Sequence, residues 1–213
     1  MKHVSILVPK GDVVVSSLVG PFKVFNTVNQ FRRNQGLDPH YDVRLVGYEK
    51  SMQYDGLFSI DITDKPEDVK KTDLIVICAC RGNMDEVIEW NQPLLEWVKK
   101  MHADGAEVAS LCMGAFLLAD TGLLDDKPCT THWMGQELFA QMFPQVNLLA
   151  DNIITEDRGV YTSGGAYSFL NLLLHLVEKF NGRDAAIFVS KMFEIDVSRK
   201  SQQPFVIFNQ QKT

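Results

Sequence analysis

The sequence has few cysteines and a deficit of positive charge, and both shortages exclude classes of protein. Four cysteines occur among 213 residues, and their spacing matches neither a disulfide framework nor a zinc site. Lysine and arginine together number 21 against 27 acidic residues, so the net charge is −6. Binding to nucleic acid needs clustered cations that neutralise phosphates. We therefore expect reduced thiols, no bound metal, and no direct nucleic-acid binding by this domain.

Long apolar runs and internal repeats are also missing. No run approaches the ~20 apolar residues that a membrane-spanning helix needs. The start, Met1-Lys2-His3-Val4, leads straight into a strand-like run and does not resemble a signal peptide. Hydrophobic content of 46% and charged content of 23% are ordinary for a globular protein. These features predict a cytoplasmic protein with no membrane segment and, in our interpretation, no cofactor.

Short apolar runs alternate with helical segments along the whole chain. Strands are predicted at 4–9, 41–48, 56–62, 73–79, 108–111, 152–155 and 160–163, and the last two flank a turn. Helices are predicted at 20–34, 66–71, 84–102, 113–121, 134–143, 166–180 and 183–193. This alternation predicts an α/β fold, a three-layer sandwich with a mostly parallel sheet between helices of the flavodoxin-like type.

The first of these helices shows a regular apolar spacing. Four apolar residues lie three apart and predict its buried stripe: Phe22, Phe25, Val28 and Phe31. Ser16 or Ser17 is the predicted N-cap of the segment, and Pro21 places the start of the regular helix near Gly20.

The stretch Glu107–Trp133 organises the chain. An apolar strand over 108–111 leads into a tight turn at Cys112 and then into a helix, and Gly114 permits the sharp turn. A helix N-terminus below the sulfur favours the thiolate, which is the reactive form of cysteine. This is the strand–nucleophile–helix pattern of a nucleophile elbow. The alternative is that Cys112 is a buried core thiol, because free cysteines are among the most buried residues.

Three motifs in this stretch occur in an order that resembles a known family. They are Cys-x-Gly-Ala-Phe-x-Leu-Ala from Cys112, Thr-Gly-Leu-Leu-Asp from Thr121, and Thr-Thr-His-Trp from Thr130. Together they resemble the ThiJ/PfpI superfamily, a branch of the class I glutamine amidotransferase-like fold. The resemblance is closest to the amidotransferase-like N-terminal domains of AraC-family transcriptional regulators. Weaker matches extend over nearly the whole chain: 8–9, 20–25, 162–173 and 199–205.

The resemblance implies a site at the carboxyl ends of the strands. Cys112 is the candidate nucleophile or redox-sensitive thiol, His132 is its candidate partner, and the backbone N–H groups of Met113 and Gly82 are a candidate oxyanion hole. His132 could instead be a structural residue of a turn. Many active members carry a carboxylate four residues before the proline of the first helix, where this chain has Ser17. The catalytic constellation therefore looks incomplete, and Ser17 is assigned to ligand binding with the other four residues.

Three functions stay open. The first is a ligand-sensing domain of an AraC-type regulator, formed by residues 1–213 with a core over about 1–195. In this interpretation the irregular tail 196–213 leads to a helix-turn-helix module that is absent from the chain, and DNA is bound only through that module. The second is a stand-alone cysteine-dependent hydrolase, amidase or hydratase, and the third is protection against oxidative or carbonyl stress. The resemblance also implies a small-molecule ligand and a homodimer.

Overall fold

The protein is described from a computed structural model that covers residues 1–54 and 56–206. Its central sheet has six strands in the order β11-β12-β8-β6-β1-β3, and β11 is the single antiparallel member. The strands are β1 Lys2–Leu7, β3 Tyr41–Val46, β6 Leu74–Ile77, β8 Glu107–Ser110, β11 Ile154–Asp157 and β12 Val160–Ser163. Every side chain of β6 is buried, as expected for a parallel strand that is covered on both faces.

Three two-stranded pairs lie outside this sheet. They are β2 Asp12–Val13 with β7 Cys80–Arg81, β4 Ser51–Tyr54 with β5 Phe58–Asp61, and β9 Pro128–Cys129 with β10 Asn147–Leu148. The first pair lies just beyond the ends of β1 and β6, so it extends the edge where the sequence places the site.

Helices cover both faces of the sheet. The described residues form six α-helices: α1 Val15–Asn34, α2 Met84–Ala103, α3 Gly114–Asp120, α4 Gln136–Met142, α5 Phe169–Asn181 and α6 Arg183–Phe193. Helices α1, α5 and α6 contact one another on one face, and α2 packs with α3 on the other. Single 3₁₀ turns occur at Pro66–Asp68, Trp133–Gly135, Ala166–Ser168 and Gln203–Phe205. The predicted three-layer α/β fold is therefore confirmed. None of the helices in the described ranges is long and apolar enough to cross a bilayer.

Helix α1 differs from its prediction at its start. It begins at Val15, its N-cap is Val14, and no side chain caps it. Pro21 lies inside the helix and has no N–H, so the carbonyl of Ser17 has no helical donor. The thiol of Cys78 donates to that carbonyl at 3.2 Å instead. A tertiary contact thus compensates the proline and lets the helix begin a turn earlier than the sequence indicated.

The predicted apolar stripe of α1 is also partly wrong. Phe25 and Val28 are fully buried, but Phe22 is 42% exposed and Phe31 is half-buried. The buried face also includes Leu18, Pro21 and Val24. Its residues recur at spacings of three, as from Leu18 to Pro21, and of four, as from Val24 to Val28. A spacing of three throughout drifts around a helix of 3.6 residues per turn, so the true face alternates between the two spacings.

Two further segments differ from their predictions. The helix predicted at 66–71 is a single 3₁₀ turn at Pro66–Asp68, and the strand predicted at 56–62 is the second arm of the β4–β5 hairpin. The predicted irregular tail is attached to the body of the protein, since Ser201 bridges to Asn152 and Gln202 is buried. Its expected apolar patch begins at Phe205, and residues 207 and 208 lie outside the described residues.

Candidate functional site

Cys112 lies in the turn between β8 and α3. Its φ of 56° is in the left-handed region, which is uncommon for a residue with a side chain. Its backbone N–H donates to the carbonyl of Ser163, on the neighbouring strand β12, at 3.2 Å. A Cβ atom on Gly114 would lie 2.7 Å from the carbonyl oxygen of Ile77 and 2.9 Å from that of Cys78. The turn is therefore pressed against the end of β6, and only glycine fits the second position after the cysteine.

Opposing influences act on the thiol of Cys112. Burial raises its pKa above the usual value, because the charged form loses hydration. Hydrogen bonds from the backbone of Ala166 and of Met113 act in the other direction and favour the thiolate. Met113 was one of the two predicted backbone donors. Ala166 was not predicted, because nothing in the sequence brings the loop after β12 to this sulfur.

His132 lies beside the Cys112 turn, because its neighbour Thr131 is hydrogen-bonded to that turn. The hydroxyl of Thr131 donates to the carbonyl of Cys112 at 3.0 Å. The ring Nδ1 of His132 accepts from the backbone N–H of Met134 at 3.1 Å, so the side chain caps the 3₁₀ turn that follows. Its ring also packs closely on Gly165, where a Cβ would lie 2.5 Å from Cδ2. Burial lowers the pKa of His132, which favours the neutral ring.

No hydrogen bond joins His132 to Cys112 within residues 1–54 and 56–206. The role of His132 as the partner of the thiol thus stays a prediction, whereas its role in the turn is visible. The alternative of a structural histidine, left open by the sequence, describes the observed contacts.

Ser17 and Gly82 belong to the neighbouring strand end. The hydroxyl of Ser17 donates to the carbonyl of Val14 at 2.7 Å and accepts from the N–H of Ala79 at 3.0 Å. Ser17 is therefore occupied in holding the chain that leaves β6. Gly82 follows β7 with a φ of 110°, a conformation that favours glycine. Neither residue forms a hydrogen bond to Cys112 in the described part of the chain.

Two carboxylates in neighbouring elements, Asp12 on β2 and Asp120 at the end of α3, have other partners. Asp12 forms an ion pair with Arg81 at 3.2 Å, and Asp120 accepts from the side chain of Gln92 at 2.7 Å. The described ranges contain no cluster of three or more His, Cys, Asp or Glu that could hold a metal ion. The surroundings of Cys112 consist mostly of backbone groups and neutral side chains.

Gln202 also contributes to this site, and the sequence analysis included it only in the resembling segment 199–205, with no role at the site. Its side chain is 1% exposed although it lies in the polar C-terminal segment. Its Oε1 accepts from the N–H of Gly165 at 3.1 Å, and its Nε2 donates to the carbonyls of Thr131 at 3.1 Å and Ala150 at 2.7 Å. One amide thus joins the loop before His132, the loop after β12 and the tail. A polar residue in a polar tail gives no sequence signal for such a position.

A cavity of about 300 Å³ opens beside these loops. Its walls come from the His132 turn, the loop after β12 and the C-terminal segment: Trp133, Gly165, Ala166, Tyr167, Arg199, Gln202 and Phe205. Because Ala166 contacts the sulfur and Gly165 contacts His132, the cavity adjoins the cysteine turn.

Comparison with known proteins gives relatives of two kinds. The HTH-type transcriptional regulator CdhR of Pseudomonas aeruginosa is 27% identical over 136 residues, which are 64% of this chain and 39% of the regulator. The isonitrile hydratase of Pseudomonas putida is 27% identical over 122 residues, 57% of this chain and 52% of the hydratase. The chain spans about two fifths and about half of the lengths of these relatives.

A solved structure of an AraC family transcriptional regulator from Pseudomonas putida has the same fold. The TM-score is 0.72 at 19% identity, and the match covers 91% of this chain and all of that one. This likeness shows the fold, and the sequence match to the HTH-type regulator confirms the kinship to AraC-type regulators that the motifs predicted. The sequence model of the DJ-1/PfpI family matches residues 4–179, most of the described chain, and the protein belongs to the DJ-1/PfpI family.

Proposed function

We propose that this chain is the ligand-sensing domain of a transcriptional regulator. The observation that carries the proposal is the position of Gln202. Its buried amide bonds both loops that contact the cysteine turn, and Gln202 itself belongs to the C-terminal segment 196–206. A small molecule that displaces either loop changes the partners of Gln202.

The path from the site to the tail is short. Thr131 is bonded to the carbonyl of Cys112 through its hydroxyl and to Gln202 through its own carbonyl. Gly165 donates to Gln202, and its neighbour Ala166 contacts the sulfur. Two loops therefore link the thiol to the same side chain. A buried amide that loses an acceptor is costly, so the segment and the loops should respond together.

The contacts of Ser17 favour a ligand-binding site over a catalytic site at Cys112. Its hydroxyl is already bonded to Val14 and Ala79, and no carboxylate in the described residues is bonded to Cys112. A general acid or base would need such a group within hydrogen-bond reach. In this proposal Cys112 marks the ligand pocket, together with His132, Met113, Gly82 and Ser17 as predicted.

The remaining parts of the proposal follow from the kinship to regulators. A helix-turn-helix module connected after the tail would bind DNA, since the net charge of −6 opposes direct binding by this chain. The location would be cytoplasmic. A homodimer is expected, with the outer helices α1 and α6 as candidate surfaces, where Phe22 and Met192 are exposed. A monomeric mass by light scattering at high protein concentration would argue against the dimer.

The sensing proposal is tested by screening small metabolites for an increase in melting temperature, because a ligand that binds the native state stabilises it. Hydrogen exchange of residues 196–206 is then measured with and without any ligand that is found. We expect exchange in this segment to change on binding, and the Gln202→Ala variant to lose that change. Gln203→Ala is the matched control, because Gln203 is exposed. A ligand that leaves the segment unaffected, or a screen without a hit, would count against sensing.

The second candidate is a cysteine-dependent hydrolase or hydratase acting on a small molecule. The backbone contacts from Met113 and Ala166 favour it, because they could also stabilise an oxyanion, and the left-handed φ of 56° at Cys112 would suit a nucleophile elbow. It requires Cys112→Ala to abolish turnover of a substrate that the native chain consumes. A variant that retains turnover would exclude this mechanism.

A further inference from the structure

Arg199 lies beside the cavity and has no acidic partner among the described residues. Its guanidinium lies 4.4 Å from the ring centroid of Phe205, and its buried Nε has no hydrogen-bond acceptor within residues 1–54 and 56–206. No hydrogen bond or ion pair links its side chain to any residue in 1–54 or 56–206. Arginine has five N–H donors in a planar fork, so this side chain has a large unused capacity to bind an anion.

The nearest acidic side chain on the same segment does not supply the missing acceptor. Asp196 feels the charge of Arg199, but its carboxylate accepts from the N–H of Ser198 at 2.8 Å and from its hydroxyl at 2.7 Å. A buried donor that lacks an acceptor is unfavourable, and a ligand or an ordered water usually satisfies it.

The cavity next to Arg199 is bounded by aromatic rings. Trp133 lies on the His132 turn, Tyr167 follows Ala166, and Phe205 comes from the C-terminal segment. Tyr167 and Phe205 are 63% and 57% exposed, which is high for large apolar side chains. Ligand sites typically combine apolar walls with a few polar groups that fix orientation. Here the walls are aromatic and the polar group is a guanidinium.

We propose that this cavity binds a small organic carboxylate, with Arg199 as its anchor and the apolar part of the molecule between the three rings. The planar fork of arginine matches the two oxygens of a carboxylate. The proposal names the chemical class of the ligand and rests on the proposed sensing function for its biological role. Since Arg199 and Phe205 both lie on the C-terminal segment, such a ligand would contact that segment directly.

The test uses two alkylating reagents that differ by one charge. A Tyr167→Cys variant puts a thiol into the cavity wall, and its labelling rates with iodoacetate and iodoacetamide are followed by peptide mass spectrometry. In both reactions the thiolate sulfur displaces iodide and forms a carbon–sulfur bond, so the ratio of the two rates reports how the site treats a carboxylate. Leu138→Cys in a Glu137→Gln background supplies the reference thiol, because Leu138 is exposed on α4 and that helix then contains no charged side chain.

We expect the iodoacetate-to-iodoacetamide ratio at position 167 to exceed that at position 138 by about tenfold, the effect of one hydrogen bond to a charged group. Arg199→Gln should remove the excess and Arg199→Lys should keep part of it. The iodoacetamide rate shows whether each variant retains its local structure. Equal ratios at the two positions, or a ratio that Arg199→Gln does not lower, would overturn the proposal.

This result is independent of the metabolite screen. A raised ratio with no stabilising metabolite would leave the anion site standing and contradict sensing. A stabilising ligand without a carboxylate, together with equal ratios, would support sensing and overturn the assignment of Arg199.

Discussion

Two neighbouring strands, β6 and β8, lead into cysteines at the same edge of the sheet, and the two thiols have different surroundings. Cys78 follows β6 directly, is fully buried, and donates to the carbonyl of Ser17 at 3.2 Å. Burial raises its pKa far above the usual range. Cys112 follows β8 in a left-handed turn, is 7% exposed, and contacts the backbone of Met113 and Ala166.

The difference shows that position at a strand end does not by itself make a cysteine functional. The thiol of Cys78 donates to the carbonyl of Ser17, which lacks a helical donor because Pro21 has no N–H, so the role of Cys78 is structural. Cys112 instead adjoins two loops and, through them, the C-terminal segment. The local chain path separates the core thiol of Cys78 from Cys112, the candidate site thiol.

The contact between the two strand ends can be broken at Gly114. A Gly114→Ala substitution places Cβ 2.7 Å from a backbone carbonyl of residue 77, which cannot move without disturbing β6. We expect the free energy of unfolding to fall by about 3 kcal/mol, measured by urea denaturation. Gly135→Ala is the control, because its nearest atom is the flexible end of Met113, and its cost should stay below about 1 kcal/mol. Equal costs would contradict the close approach.

The hydrogen bonds that join the loops beside Cys112 to the C-terminal segment can be removed by substituting Gln202. Gln202→Ala leaves the N–H of Gly165 and the carbonyl of Thr131 without this partner inside the protein. We expect a loss of about 2 kcal/mol and faster proteolysis within residues 196–206. Gln203→Ala should change stability by less than about 0.5 kcal/mol, because its side chain is exposed and its hydrogen bond to the carboxylate of Asp151 at 3.0 Å lies at the surface. If the two variants behave alike, the tail is not anchored as described.

The reactivity of the two thiols sharpens the comparison directly. Iodoacetamide should label Cys112 at least about tenfold faster than Cys78 in the native protein, since Cys78 requires local opening. The rates should become equal in denaturant, which controls for intrinsic reactivity. Equal slow labelling of both native thiols would place Cys112 in the core and remove the basis of the site.

The smallest expected effect concerns pH. Burial lowers the pKa of His132 below 6.5, so the folded state favours the neutral ring. Its contribution to stability is present above pH 6.5 and is lost as pH falls through the lowered pKa, because the unfolded chain then binds the proton more readily. His132→Asn keeps an acceptor for the N–H of Met134 and removes the titration. We expect the wild type to lose its melting-temperature advantage over this variant between about pH 7 and pH 5. Parallel curves would contradict this sign.

Much of the architecture was predictable from the sequence because apolar periodicity and turn residues are local signals. The helix predicted at 183–193 has those bounds, and the predicted pair at 152–163 is a hairpin closed by Arg158 and Gly159. The start of α1 and its buried face were not predictable, because Pro21 is compensated from another strand.

The site was predictable only in part. The motifs indicated Cys112, Met113 and His132, and the structure places all three around one turn. Ala166 and Gln202 were missed, since both act through contacts between segments far apart in sequence. Such contacts depend on the packing of loops, for which a single sequence carries no periodic signal.

The most direct test of the sensing account is the alkylation rate of Cys112 in the presence of a metabolite that raises the melting temperature. The account predicts that the bound compound slows labelling of Cys112 in proportion to its occupancy, because it lies in the adjoining cavity. A compound that stabilises the protein and leaves this rate unchanged would bind elsewhere. One such place is the larger cavity of about 450 Å³ beside Trp90, and binding there would contradict the assignment of the Cys112 corner as the sensing site.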